Sequence, residues 1–246
     1  MIRSPADVRG VLLAGGSGSR LLPLTATTNK HLLPVGQVPM IYHPVRTLVG
    51  AGITEILVVT GVEHMGDIVN QLRSGRELGC RFTYKVQEEA AGIADALGLA
   101  AEFVGRSRAA VALGDNVFED PLAPHLSAWL ESGKQAGVLL KAVPDPERFG
   151  CPRLEGGQIT EIIEKPAAPP SGFAVTGLYF YGPEVFEIIP TLVPSARGEL
   201  EISDVNNRYL RCGQLHHGVL SGYWSDAGTH ESLSRANRLV MGVERG

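Results

Sequence analysis

The sequence predicts an α/β protein whose mostly parallel sheet is covered by helices on both faces. Two patterns carry that expectation. Short β-branched runs alternate with helical spacings through the first half of the chain, and the first run, Val11-Leu12-Leu13-Ala14, turns straight into Gly15-Gly16-Ser17-Gly18-Ser19-Arg20. Residues 11–14 form the first strand. Ile41, Val45, Leu48 and Val49 share one helical face that stops at Gly50-Ala51-Gly52, and Ile56-Leu57-Val58-Val59 follows as the second strand, completing a βαβ unit. Met65, Ile68, Val69 and Leu72 repeat the helical spacing, 82–86 read as a strand, 93–103 as an alanine-rich helix and 109–113 as a buried strand. The stretch 117–143 receives no element. From Pro144 shorter strands and turns take over, at 150–154, 158–163 and 174–181, with Pro166, Pro169 and Pro170 between the last two. These predict an antiparallel layer laid against the first half. Helical patterns at 201–211 and 230–243, separated by 215–223, close the chain. There is no internal repeat, low-complexity tract or linker, so one continuous domain over 1–246 is expected.

At 246 residues the chain can bury about 70 to 75 per cent of its unfolded surface in one core, enough to fold without covalent staples. Cys80, Cys151 and Cys212 are odd in number and far apart, which excludes a disulfide framework and a zinc site and indicates a reducing cytoplasm. No 18-residue apolar run exists, and Met1-Ile2-Arg3-Ser4-Pro5 lacks a signal peptide's hydrophobic stretch, so neither export nor membrane insertion is expected. The net charge is −4 and the basic residues are scattered singly, which argues against a nucleic-acid surface. Any phosphate bound belongs to a small molecule.

The glycine loop after the first strand is a holder for such phosphates. Glycines allow positive φ and bring backbone N–H groups close to an anion, while Arg20 and Lys30, in Asn29-Lys30-His31-Leu32-Leu33-Pro34, add full charges. Two familiar loops are excluded by spacing. Ser19 and Arg20 follow Gly18 where a Walker loop needs Lys-Ser/Thr, and Leu21 stands at the third glycine of the dinucleotide fingerprint. The plain alternative is a turn joining strand to helix.

Four further positions suit chemistry around such an anion. Asp115, in Gly114-Asp115-Asn116, follows the strand at 109–113 and so faces the crevice at the strands' carboxyl ends, as a magnesium ligand or simply as part of an Asp-Asn turn. Asp226, in Tyr223-Trp224-Ser225-Asp226-Ala227-Gly228-Thr229, is the second candidate ligand, or the approach turn to a helix capped by Thr229. Glu164-Lys165-Pro166 pairs a carboxylate able to bridge sugar hydroxyls with a cation able to neutralise a sugar phosphate, or is a surface pair before a turn. Gln87 offers an amide, donor and acceptor together, to a pyrimidine, and Gly92 lets a base lie against backbone. Both also fit an ordinary polar loop.

The ordered set Leu13-Ala14-Gly15-Gly16-Ser17-Gly18-Ser19-Arg20-Leu21, Lys30-His31-Leu32-Leu33-Pro34, Gly114-Asp115-Asn116, Glu164-Lys165-Pro166, Val175-Thr176-Gly177-Leu178-Tyr179, 195–202 and Trp224-Ser225-Asp226-Ala227-Gly228-Thr229 resembles the motifs of sugar-1-phosphate nucleotidyltransferases, nearest to their glucose-1-phosphate thymidylyltransferase branch. The resemblance implies a Rossmann-like three-layer nucleotidyltransferase fold. It divides the chain into a nucleotide-binding half, about 1–143, and a sugar-phosphate-binding half, about 144–246. It implies transfer of a nucleotidyl group from dTTP to glucose 1-phosphate with Mg2+, giving dTDP-glucose and pyrophosphate. By the same resemblance Leu13, Ala14, Gly15, Gly16, Ser17, Gly18, Ser19, Arg20, Gln87, Gly92 and Asp115 hold the nucleotide, while Asp115 and Asp226 hold the metal. Asn116, Gly150, Glu164, Lys165, Val175 and Arg197 line the sugar-phosphate pocket, and Arg20, Lys30, Asp115 and Lys165 carry the catalysis. A homo-oligomer is compatible with it.

The alternatives are UTP, CTP or another triphosphate with a different sugar or cyclitol phosphate, and, more remotely, a nucleotide-sugar sensor without catalysis. The chain also departs from the pattern. His31 stands where the thymidylyltransferases often have glutamine, Phe149 where they often have tyrosine, and Gln87-Glu88-Glu89-Ala90-Ala91-Gly92 replaces a proline-containing loop. The chain stops at Gly246, where longer members add a helical segment forming a dimer contact and a feedback site. The resemblance therefore implies that this site is missing or altered.

Overall fold

β1 (Val8–Ala14) is apolar on both faces because both are covered: Val8, Leu12 and Ala14 enter one core and Val11 and Leu13 the other. The computed structural model describes residues 7–243; Met1-Ile2-Arg3-Ser4-Pro5 and Gly246 lie outside the described residues. After β1 come the two-residue strands β2 (Pro34–Val35) and β3 (Val38–Pro39), then α1 (Tyr42–Gly50), β4 (Glu55–Gly61), α2 (Met65–Leu72) and β5 (Arg81–Gln87). β4 pairs parallel with β1, and β5 with β4, so the chain winds outwards in one direction. Through α3 (Ile93–Gly98) and α4 (Ala101–Val104) it returns to lay β6 (Arg108–Leu113) on the opposite side of β1, with Leu13 beside Leu113. The winding reverses between β1 and β6, and at such a reversal a crevice opens outside the carboxyl ends of the strands. The glycine loop and Asp115 both leave from there.

The second half completes the same sheet. Beyond β7 (Asn116–Phe118) come α5 (Leu122–Ser132), β8 (Ala136–Ala142), the hairpin β9 (Gly150–Glu155) and β10 (Gln158–Glu164), then β11 (Phe173–Tyr181), α6 (Val185–Ile188), α7 (Ile202–Arg211), β12 (Leu215–Val219), β13 (Trp224–Asp226) and α8 (His230–Val240). The seven-stranded order is β12-β8-β11-β6-β1-β4-β5, and β11 runs antiparallel to both neighbours. The expectation of a separate antiparallel layer is thus corrected. Of the three strands expected there, only the β9–β10 hairpin stands outside the main sheet, because β11 is buried along nearly all its length and has to be covered on both faces.

Side chains from α1, α2 and α5 cover one face and those from α3, α6 and α7 the other, with Trp129 of α5 stacked on Phe180 of β11 at 5.2 Å. A smaller core under α8 joins Leu21, Val35, Met40, Val117 and Ala236, fastening the tail beneath the loop that follows the glycines. Four boundaries differ from the sequence reading. The helix expected over 93–103 breaks after Gly98, whose missing β-carbon admits Ile189 at 3.3 Å. α8 ends at Val240, two residues before Gly242 at φ +70°, a left-handed position that stops a helix. α5 and β8 occupy the stretch that received no element, and 215–223 contains the edge strand β12. No helix among the described residues is long and apolar enough to cross a membrane.

Candidate active site

The crevice is a cavity of about 340 Å³. Of the residues predicted to bind or react, Leu13, Gly15, Gly16, Arg20, Lys30, Gln87, Gly92, Asp115, Asn116, Gly150, Glu164, Lys165, Val175, Arg197 and Asp226 line it, whereas Ala14, Ser17, Gly18 and Ser19 do not. Ala14 points into the core. Gly18, at φ +65°, is required by packing: a β-carbon there would lie 2.9 Å from the Thr25 methyl and 3.1 Å from the Lys30 β-carbon. That packing seats Lys30 under the loop. Gly16, at φ +94°, has open space around it and lets the backbone turn towards the cavity.

Lys30 reaches across the crevice to Asp115, Nζ to Oδ2 at 2.6 Å. Asn116 holds the other oxygen of Asp115, Nδ2 to Oδ1 at 2.9 Å. Burial opposes ionisation of Asp115, but the field of Lys30 and His31, with hydrogen bonds from Lys30 and Asn116, outweighs it and keeps the carboxyl well below the usual carboxylate range. Asn116 is itself committed. Its Oδ1 accepts from Gly177 N at 3.0 Å and from Trp224 Nε1 at 2.7 Å, so it orients Asp115 and the strand carrying Asp226 instead of presenting a free acceptor to a sugar. His31 lies beneath, 1% exposed, with its Nδ1 2.7 Å from Asn29 Oδ1. Burial, helped by Lys30, lowers its pKa from 6.5 to about 3, so the ring is neutral.

Asp226 does not extend an apolar strand of the main sheet. It ends β13, which pairs with β7 so that Asp226 lies opposite Asn116, and Ala227 N continues the ladder to Asp115 O. Local pairing thus brings residues 115 and 226 together. A β-carbon added at Gly228 would sit 3.3 Å from Asp226 Oδ2 and 3.4 Å from both Asp115 Oδ2 and Arg20 Nη2, so the three groups converge on one point. Burial and the neighbouring Asp115 raise the pKa of Asp226, against Arg148, Gly228 and Ser232. Thr229 caps α8 with a capping box to Ser232, whose hydroxyl also reaches Asp226 at 3.3 Å.

Arg148 is a site residue that sequence reasoning missed. It bridges Asp226 at 2.9 Å and Asp145 at 2.7 Å, its guanidinium lies over Phe149, and Phe149 packs edge-on to Trp224. Nothing in the sequence links positions 148 and 226. Two hard carboxylates with converging oxygens suit a magnesium ion whose remaining positions are filled by water and phosphate. No group of three or more acidic, histidine or cysteine ligands exists among the described residues.

At the far wall Glu164 is tied to α7 by Ser203, Oγ to Oε2 at 2.6 Å. Lys165, at φ +43°, lies 3.7 Å from Glu164. Arg197 is held by Glu201 at 2.8 Å and Glu199 at 3.3 Å, with Glu164 at 3.7 Å. An arriving phosphate finds two cations whose present partners are carboxylates. Gln87, at the end of β5, donates its amide to Asp95 Oδ2 at 2.7 Å and Gly92 O at 3.3 Å. The room on one side of Gly92, at φ +107°, is filled by the Leu200 backbone, 2.5 Å from where a β-carbon would stand, so packing by itself already requires glycine here.

Residues 9–241 match the nucleotidyl transferase family. The chain is 42% identical over 247 residues to a glucose-1-phosphate thymidylyltransferase of Neisseria meningitidis, covering 96% of this chain and 84% of that protein. A Bacillus anthracis protein, described as a candidate glucose-1-phosphate thymidylyltransferase and crystallised with sucrose, is 54% identical with a TM-score of 0.92, covering 97% of each chain. A UDP-glucose pyrophosphorylase bound to UDP-glucose is 25% identical with a TM-score of 0.83, covering 96% of this chain and all of that one (100%).

Proposed function

This chain belongs to the nucleotidyl transferase family, and on that premise we propose that it transfers the thymidylyl group of dTTP to glucose 1-phosphate, releasing pyrophosphate in the cytoplasm. The observation that carries the reading is the convergence of Asp115, Asp226 and Arg20 on one point beside the glycine loop, with Lys165 and Arg197 across the same cavity. That is a site for two anions.

The nucleophile is a phosphate oxygen of the sugar phosphate, already anionic, so no general base and no Ser, Cys or His nucleophile is required. The protein's work is to hold two mutually repelling anions in line and to stabilise charge at the α-phosphorus and the leaving pyrophosphate. Asp115 and Asp226 would hold magnesium. When bound, the ion supplies positive charge at the reacting phosphates. The glycine loop and Arg20 receive the triphosphate, Lys30 adds charge beside Asp115, and Lys165 and Arg197 seat the sugar phosphate. Gln87 and Gly92 bound the base end, and Gly150, Glu164 and Val175 bound the sugar end.

UTP is the second reading, favoured by the likeness to the UDP-glucose pyrophosphorylase. A matrix of five nucleoside triphosphates against several sugar 1-phosphates with magnesium, read as pyrophosphate, separates the two. Highest turnover with dTTP and glucose 1-phosphate is expected. Higher turnover with UTP would transfer the assignment to the second reading, and no pyrophosphate from any pair would overturn both.

A further inference from the structure

The Gln87 amide has a fixed orientation, and its cause lies outside the cavity. Its nitrogen faces the Asp95 carboxylate at 2.7 Å and the Gly92 carbonyl at 3.3 Å. Both partners can only accept, so together they use both amide hydrogens. Turning the amide over would set its oxygen against two other acceptors. The oxygen Oε1 therefore points the other way, to the start of the glycine loop, where a β-carbon added at Gly15 would stand 3.2 Å from it. No protein donor to Oε1 is recorded among the described residues. Gln87 thus presents an acceptor alone, and Asp95, which does not itself line the cavity, decides this from the first turn of α3.

We infer that Asp95 is a positioning residue that makes the site select a pyrimidine carrying an imide N–H and reject one carrying a ring acceptor in that place. Thymine and uracil offer N3–H between two carbonyls. Cytosine offers a bare N3, and two acceptors facing each other in a half-buried site leave both without a partner, which costs affinity roughly tenfold or more. The methyl group that separates thymine from uracil is not read here. The inference rests on the proposed use of a pyrimidine triphosphate and adds which face of the amide reads it.

The test compares kcat/KM for dTTP, UTP and dCTP with glucose 1-phosphate in the wild type, Asp95→Asn and Asp95→Ala. An asparagine can donate as well as accept and an alanine does neither, so in both variants only the longer contact, 3.3 Å to the Gly92 carbonyl, still opposes turning the amide. The expected result is a dTTP-to-dCTP ratio that falls at least about tenfold in both variants, while the dTTP-to-UTP ratio stays within twofold. A merely structural role would lower all three substrates together, and an unchanged dTTP-to-dCTP ratio overturns the inference. A second arm needs no variant: the wild type should bind dTTP at least about tenfold more tightly than its N3-methylated analogue, and equal binding by calorimetry also overturns it. Failure of the wild type to turn over dTTP or UTP would instead strike the proposed reaction, and the calorimetric comparison would still decide the role of the amide.

Discussion

Replacing His31 by glutamine isolates the most strongly perturbed histidine in the site. His31 is buried against Asn29 under Lys30 and Asp115, and its pKa falls from 6.5 to about 3. In the unfolded chain it binds a proton below about pH 6.5, whereas the folded protein excludes that proton until about pH 3. Stability therefore declines as pH falls through this window, because the unfolded state binds more protons. At about 1.4 kcal/mol per pH unit, moving from pH 6.5 to 4.5 costs the wild type about 2 to 3 kcal/mol through this one group. Asp115 acts with the same sign but in a lower window. Its depressed pKa contributes stability above its unfolded value of 3.8 and loses it only below that, so it adds no slope between pH 4.5 and 7. His43 and His216 are also lowered by burial, but both are present in wild type and variant and cancel in the difference. Urea unfolding of wild type and His31→Gln at pH 7.0 and 4.5 should show the variant losing about 2 to 3 kcal/mol less than the wild type. Parallel losses in the two proteins would refute the account of a neutral, proton-excluding His31.

Three other substitutions probe the remaining parts of the site. Asp115→Asn and Lys30→Ala should each lower turnover at least about a hundredfold, the scale expected for removing one preorganised charge; near-wild-type rates in steady-state assays of both would sink the assignment. Gly177→Ala would place a β-carbon 2.5 Å from Asn116 Oδ1, displacing the side chain that holds Trp224 and Asp115. It should cost about 1 to 3 kcal/mol in urea unfolding and lower kcat as well, and a fully active, fully stable variant would contradict the orienting role of Asn116. Ser203→Ala unties Glu164 from α7, so the KM for the sugar phosphate should rise several-fold with that for the nucleotide unchanged; equal changes in both would place Glu164 elsewhere in the mechanism.

What could be read from the sequence was what is local. β1, its glycine turn and the helices with one apolar face, such as Tyr42–Gly50 and Met65–Leu72, are written in consecutive residues. β8 was not, since Ala136-Gly137-Val138-Leu139-Leu140 is a short apolar run buried on both faces, and such a run by itself does not separate a strand from a buried helix segment. β11 was found as a strand, but its place between β6 and β8 depends on partners about 70 and 40 residues away in the chain, and periodicity carries no such information. The site divides in the same way. Asp115 follows a readable strand end, whereas Arg148, Asp95 and Ser203 act through single contacts to Asp226, Gln87 and Glu164 that only the folded chain creates. Asn116 and Gly92 line the cavity, and packing makes a further demand on each that residue type does not show: Asn116 Oδ1 accepts from Gly177 and Trp224, and the Leu200 backbone leaves no room for a β-carbon at Gly92.

The most direct measurement follows the α-phosphate. With dTTP labelled at that phosphorus, glucose 1-phosphate and magnesium, the label should move into dTDP-glucose one for one with pyrophosphate released, leave no labelled protein, and barely move in Asp115→Asn. Pyrophosphate released without the sugar phosphate, or label retained on the protein, would contradict a single displacement between two anions held in one cavity.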